Sequence, residues 1–283
     1  MRAPPARPSR LEEVLGPAAS ATLRDSAKVI LWGLVLYGLV EFVGNKLSAK
    51  ATGALAAQMV IAEWGAGRLA VAWSDPSAPV ATFGSIVQRA GKGAALGILA
   101  AALVVAFAIA TGAMVAHPNR PDVGELAIGL VSAALVAARD ELLFRGVVIR
   151  AFRHACPTAA LLAICGGAAA AAEYGALEGA VQGNGPRLLV AALLGTAFAA
   201  LWLRDRGAWL AFGAHTGWSL ASGTAIGGGL LDLRASNTPW GGGNAGISGS
   251  LAAIPTVLAL TALAVGWSRG REKTVRSASH VGK

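Results

Sequence analysis

Long apolar runs constrain this chain more than any other feature. About 20 apolar residues span a bilayer as a helix, and hydrocarbon offers no water to open backbone groups. Eight such segments can be read, at 29–43, 51–72, 93–116, 123–143, 157–177, 188–203, 208–231 and 251–267. Composition agrees, since 55% of the 283 residues are hydrophobic and only 14% are charged. A soluble domain carries about 25% charged residues. The expected fold is therefore all-α, a polytopic transmembrane helical bundle of about eight membrane spans. The segment at 51–72 is interrupted by Glu63 and Arg68. Those two do not stack on one helix face, so they are expected to pair with other helices or to lie in the interface.

The charges report topology. With the N-terminus inside and every segment crossing once, 18 of the 24 basic residues fall on the inner side. They include Arg89, Arg145, Arg150, Arg153, Arg204 and Arg206. Lys46, Lys50, Arg120, Arg187 and Arg234 fall outside, and Arg68 lies within its span. Such an asymmetry predicts a multi-pass protein of the cell (inner) membrane with both termini cytoplasmic. It also places residues 137–153 near the cytoplasmic leaflet. Residues 1–28 are Pro- and Arg-rich without an apolar core, which reads as a disordered cytoplasmic tail rather than a signal peptide. Residues 269–283 read as a basic cytoplasmic tail. The net charge of +9 does not point to nucleic acid, because the basic residues flank apolar runs instead of gathering on a soluble domain.

Other features are structural. Cys156 and Cys165 fit no metal or redox spacing and read as small buried apolar residues. Ala- and Gly-rich runs such as "GGAAAAAEYGA" suit close helix packing in lipid. The Gly-rich stretch 237–250 is expected to form a tight re-entrant or capping loop.

Ionisable groups at membrane depth are costly and mark candidate functional sites. "AARDELLFRG" sets Glu141 and Arg145 four apart, acid first, the favourable order for a helical ion pair. Asp140 lies about 100° around the helix and lacks such a local partner. "EYGALEGA" sets Tyr174 and Glu178 one turn apart, with Glu173 facing elsewhere. "AHTGWS" sets His215 and Ser219 on one face. Three segments each offering polar groups at one-turn spacing predict an inward-facing polar cavity. In it Asp140, Glu178 and His215 would line one water-reachable chamber near the cytosolic leaflet.

"DELLFRG" and the run 188–219 resemble the E-E-x-x-x-R motif, and the segment leading to the H-x-x-x-N motif, of the CPBP family of intramembrane proteases. This family includes CAAX prenyl endopeptidases and bacteriocin-immunity (Abi) proteins. The resemblance covers roughly 125–268, which would be the protease core, with 29–124 as accessory transmembrane helices. By position, Asp140 and Glu141 match the two glutamates and Arg145 the arginine. Tyr174 matches the Phe and Glu178 the His of the family's F-x-x-x-H motif. His215 and Ser219 match its last His and Asn. The resemblance implies that Asp140, Glu141, Glu178, His215 and Ser219 are catalytic, with Arg145 and Tyr174 orienting. The first Glu and the F-x-x-x-H histidine are thought to activate water in the family, and the last His and Asn to hold the oxyanion. The sequence departs at Asp140, Glu178 and Ser219. Glu178 is the largest departure, because an acid replaces a base.

The expected function is an intramembrane endopeptidase, a hydrolase acting on a membrane-anchored protein or peptide, with the lipid bilayer as its other partner. Asp140 and Glu178 would share a proton as a carboxylate dyad. The alternative is a catalytically impaired pseudoprotease acting as a membrane binding or scaffold protein. A proton-relay transporter is a third reading. No cofactor is expected, although Asp140, Glu141, Glu178 and His215 carry donor types that suit zinc.

Overall fold

Small residues decide how the helices of this chain meet. The computed structural model describes residues 17–47, 52–75, 78, 80–120, 122–176, 185–223, 231–235, 240–242 and 247–281. Helices α1 (Pro17–Lys46), α2 (Thr52–Arg68) and α3 (Phe83–Ala110) precede strand β1 (Met114–Pro118). Helix α4 (Val123–Asp140) runs through a π-helical stretch, Glu141–Gly146, into α5 (Val147–Phe152) without a break. Helices α6 (Thr158–Ala176), α7 (Gly185–Asp205) and α8 (Trp209–Ser219) follow, then β2 (Leu231–Ala235) and α9 (Ala253–Val281). Each of the eight expected segments overlaps a helix.

Local chemistry sets several helix starts. Thr82 caps α3 by accepting from the Ser85 amide, and Asp122 caps α4 by accepting from the Gly124 and Glu125 amides. Ser250 does the same for α9 through the Ala253 amide, at 3.1 Å. Each cap satisfies donors that a helix N-terminus leaves open.

The tightest crossing joins α3 to α8. A Cβ on Gly97 would lie 2.0 Å from the Ala214 carbonyl oxygen, and one on Gly213 would lie 2.0 Å from that of Ala90. Gly93 and Gly217 meet the opposing backbone as closely. Both helices thus present glycines four apart, and the two backbones touch. Helices α6 and α7 cross similarly, where Gly195 faces Cys165 and Ala169.

Large apolar side chains also point outward. Leu31, Trp32, Leu34, Phe42, Val60 and Leu263 are each more than half exposed. A soluble surface rarely carries such a band, whereas a bilayer accommodates it. Among the described residues, three helices are long and apolar enough to cross a membrane: Thr22–Lys46, Phe83–Ala110 and Gly185–Asp205.

The structure adds one short ribbon to the helical bundle. The segments 93–116 and 208–231 were expected to be helical throughout. Instead α3 ends at Ala110, and β1 pairs antiparallel with β2, Met114 opposite Ala235 and Pro118 opposite Leu231. Gly112 turns the chain at φ +70°. Leu231, Asp232, Leu233 and Arg234 alternate apolar and polar, a period-2 pattern that suits a strand. From the Gly-rich stretch, Trp240 donates to the Thr111 hydroxyl at 3.3 Å, capping this end of the bundle.

The two ends of the bundle differ. Arg150 pairs with Asp25 and Arg153 with Asp75, while Trp209 donates to Ser74. These contacts gather the start of α1, the end of α5 and the start of α8 at one end. The ribbon and the start of α4 lie at the other. The helix continues to Phe152, so Asp140 lies roughly 15 Å from the basic end, at mid-helix.

The backbone contact at α3 and α8 yields a prediction. Gly213→Ala forces a Cβ into the Ala90 carbonyl and lowers stability by about 1–3 kcal/mol, as overpacking does. Gly91→Ala, where a Cβ meets nothing within 4 Å, leaves it unchanged or raised. Thermal unfolding in detergent reads both.

Candidate active site

A fully buried carboxylate needs partners, and Glu141 has two. It is 0% exposed, at the start of the π-helical stretch. Its Oε1 lies 3.2 Å from Arg145 Nη1 and 3.1 Å from His215 Nδ1. The expected pairing of Glu141 with Arg145 is therefore present, and His215 completes a triad. A carboxylate that accepts here takes its proton from His215 Nδ1–H, and Nε2 occupies the opposite edge of the ring. Phe198 fixes the remaining geometry. Its ring stacks on His215 at 5.0 Å and carries the Arg145 guanidinium 5.4 Å from its centroid.

This group forms one wall of a cavity of about 410 Å³. Asp140, Arg145, His215 and Ser219 all line it, with Tyr37 and Glu41 from α1. Glu141 does not line it, but sits behind Arg145 and His215. Its carboxylate meets the cavity wall only through those two side chains. Asp140 and His215 thus line the same cavity. Glu178 lies outside the described residues. The chamber is reached from the ribbon side, since Glu41, Glu173, Arg187 and Ser248 line it from helix ends and a loop at that end.

Asp140 is not without a local partner, as its spacing suggested. Arg139 Nε donates to Asp140 Oδ1 at 2.7 Å, and Arg139 Nη1 donates to Gln58 Oε1 at 3.0 Å. Gln58 is buried and donates in turn to the Val40 carbonyl at 3.1 Å. So α2, the least apolar expected span, anchors Asp140 through its one buried amide. In the same helix Glu63 accepts from Trp73 Nε1 at 2.8 Å, and Arg68 lies over the Trp64 ring.

The second acidic pair is also corrected. Glu173, expected to face elsewhere, lines the cavity and pairs with Arg187. Tyr174 is 51% exposed and does not line it. Helix α6 is rotated so that Gly166 and Ala169 meet α7, and this carries Glu173 inward. Arg139, Gln58, Glu173, Arg187 and Phe198 were all missed as site residues. The signals were present: an Arg beside Asp140, an amide inside an apolar run, and a second carboxylate beside Tyr174.

Of the four residues with donor types that suit zinc, Glu178 lies outside the described residues. A guanidinium already lies against Glu141 and another against Asp140. Among the described residues no three His, Cys, Asp or Glu side chains converge.

Residues 122–221 match the family model of type II CAAX prenyl endopeptidase Rce1-like proteins. The match runs from the cap of α4 to just past α8, and it includes every residue of the triad. The resemblance carried by "DELLFRG" stands over this stretch, and the family is one of membrane-embedded peptidases. No curated protein and no solved structure gives a significant match to the chain.

The buried triad makes a prediction. Glu141→Gln leaves the Arg145 charge buried without a counter-charge and costs about 3–5 kcal/mol of stability. Adding Arg145→Met removes that orphaned charge and recovers most of the loss. Unfolding of both variants alongside the parent, in one detergent, checks the pair.

Proposed function

We propose that this chain is an intramembrane endopeptidase that hydrolyses an amide bond in a membrane-anchored protein or peptide. One observation carries the reading: Asp140, His215 and Ser219 line a single polar cavity inside a bundle whose outer surface is apolar. In this scheme all eight helical segments cross the membrane and both termini are cytoplasmic.

Hydrolysis of an amide needs a base for water and donors for the developing oxyanion. Asp140 is the base. Arg139 holds Oδ1, which leaves Oδ2 for the water. The water oxygen attacks the carbonyl carbon, and its proton passes to Asp140 and then to the leaving amine. His215 and Ser219 donate to the oxyanion. In this reading His215 uses both ring N–H groups, Nδ1–H toward Glu141 and Nε2–H toward the oxyanion. Glu178 stands where the family places a histidine, and in this reading it shares a proton with Asp140. No metal enters, so a chelator leaves cleavage intact.

A second, apolar cavity of about 360 Å³ supports a substrate with a hydrocarbon portion. Leu194, Phe198 and Trp218 belong to both cavity walls. An apolar chain in the second cavity would bring an attached peptide bond to the first. A prenyl group, an acyl group or a transmembrane segment supplies such a chain.

The pseudoprotease reading draws on a different observation. Arg139 occupies Asp140 as an ion-pair partner, and Glu178 stands where the family has a histidine. Comparing membrane-protein fragments from cells with and without the chain separates the two readings. The peptidase produces a juxtamembrane or C-terminal cut that Asp140→Ala abolishes. His215→Ala lowers its rate by about 10²–10³-fold, the usual loss of an oxyanion donor. Glu178→His preserves or raises it. Full activity in Asp140→Ala overturns the scheme, and the absence of any chain-dependent cut favours the binding protein.

A further inference from the structure

The end of the bundle away from the active-site mouth holds a separate pocket of about 220 Å³. Arg150, Arg153, His154 and Arg206 line it, with Asp75 as the acidic residue of the lining. Asp25 lies beside it, paired with Arg150 at 3.0 Å, and Arg153 pairs with Asp75 at 2.6 Å. Those two ion pairs run through Nη1 of Arg150 and Nη1 of Arg153, and a guanidinium carries five N–H donors in all. The catalytic scheme uses none of these residues.

The pocket is preformed. Its floor joins two loops by backbone hydrogen bonds, Asp75 N to Arg206 O at 2.8 Å and Ala208 N to Trp73 O at 2.8 Å. Arg206 holds φ +57° to make that turn. Trp73 and Trp209 stack beside the loops at 4.7 Å, and Trp202 lines the pocket. Tryptophans beside arginines at helix ends mark the headgroup level of a bilayer. A pocket of guanidiniums at that level suits a phosphate, which accepts bidentate hydrogen bonds from Arg.

We propose that this pocket binds the phosphate headgroup of an anionic phospholipid, anchoring the basic end of the bundle in its leaflet. The acyl chains would run down the apolar outer surface while the headgroup sits between α5 and the α7–α8 turn. This assignment is independent of the peptidase reading.

The test uses the purified full-length chain in a neutral detergent. Short-chain phosphatidylglycerol, short-chain phosphatidylcholine and sodium phosphate are titrated separately, and thermal unfolding is followed. Phosphatidylglycerol is expected to raise Tm saturably, with the other two ineffective at equal concentration. Arg150→Gln with Arg153→Gln weakens the apparent affinity about 25-fold, taking about fivefold per charge removed. Because that variant breaks two ion pairs, Ala72→Glu serves as the second. It keeps both pairs, adds a negative charge to the wall, and weakens affinity about fivefold. Lys28→Gln, on the exposed face of α1, leaves affinity unchanged. Equal stabilisation by phosphatidylcholine, or full phosphatidylglycerol affinity in both pocket variants, overturns the proposal. Equal stabilisation by free phosphate reassigns the pocket to a soluble anion and overturns the lipid.

Discussion

Glu141 in the middle of an apolar helix is the constraint around which this site is built. An isolated carboxylate at that depth would be protonated or expelled. Here Arg145 neutralises it from one turn away, and His215 approaches it from α8. The contact ties two helices together and fixes the ring of His215 at the cavity wall. Buried ion pairs add little net stability, because desolvation offsets most of their attraction. What this one contributes is specificity, since few other packings would satisfy both charges and the imidazole at once. Part of the network stays open even so: Glu141 Oε2 and Arg145 Nε have no partner among the described residues.

Close packing makes that contact possible. His215 sits between Gly213 and Gly217, and those glycines let α8 lie with its backbone against α3. A helix held at that distance cannot rotate or slide without a backbone clash, so the position of His215 is over-determined. The π-helical stretch contributes on the other side. Its wider turn places Glu141, Leu142, Leu143, Arg145 and Gly146 all in buried positions, which a regular helix of that length does less easily. A second π-helical turn, at 220–223, follows Ser219, so both irregular turns flank the same cavity.

The bundle separates its chemistry by end. Carboxylates and guanidiniums that face the cavity, Glu173 with Arg187 and Asp140 with Arg139, lie in the ribbon half. At the other end Arg150, Arg153 and Arg206 line a pocket that Trp202 also lines. Each half therefore holds its own pocket: a polar cavity lined from the ribbon side, and a smaller one rich in guanidiniums at the basic end. The apolar cavity beside Phe198 links the polar site to the lipid-facing surface. Phe198 serves both, as a stacking platform on one face and an apolar wall on the other.

The sequence by itself determined the class of fold, the eight helical segments, the Glu141–Arg145 pair and the family resemblance. Each follows from local rules: apolar run length, i,i+4 spacing, or an ordered motif. The ribbon was partly legible in the alternation of Leu231–Arg234, but an apolar run beside it outweighed four residues of period 2. Only the tertiary structure decided that Glu141 reaches His215, that Gln58 reaches Arg139, and that Glu173 rather than Tyr174 faces the cavity. Spacing along one helix says which residues share a face, not which way that face points. In an apolar bundle the rotation of each helix is set by glycine contacts with neighbours distant in sequence, and those contacts exist only once the chain has folded.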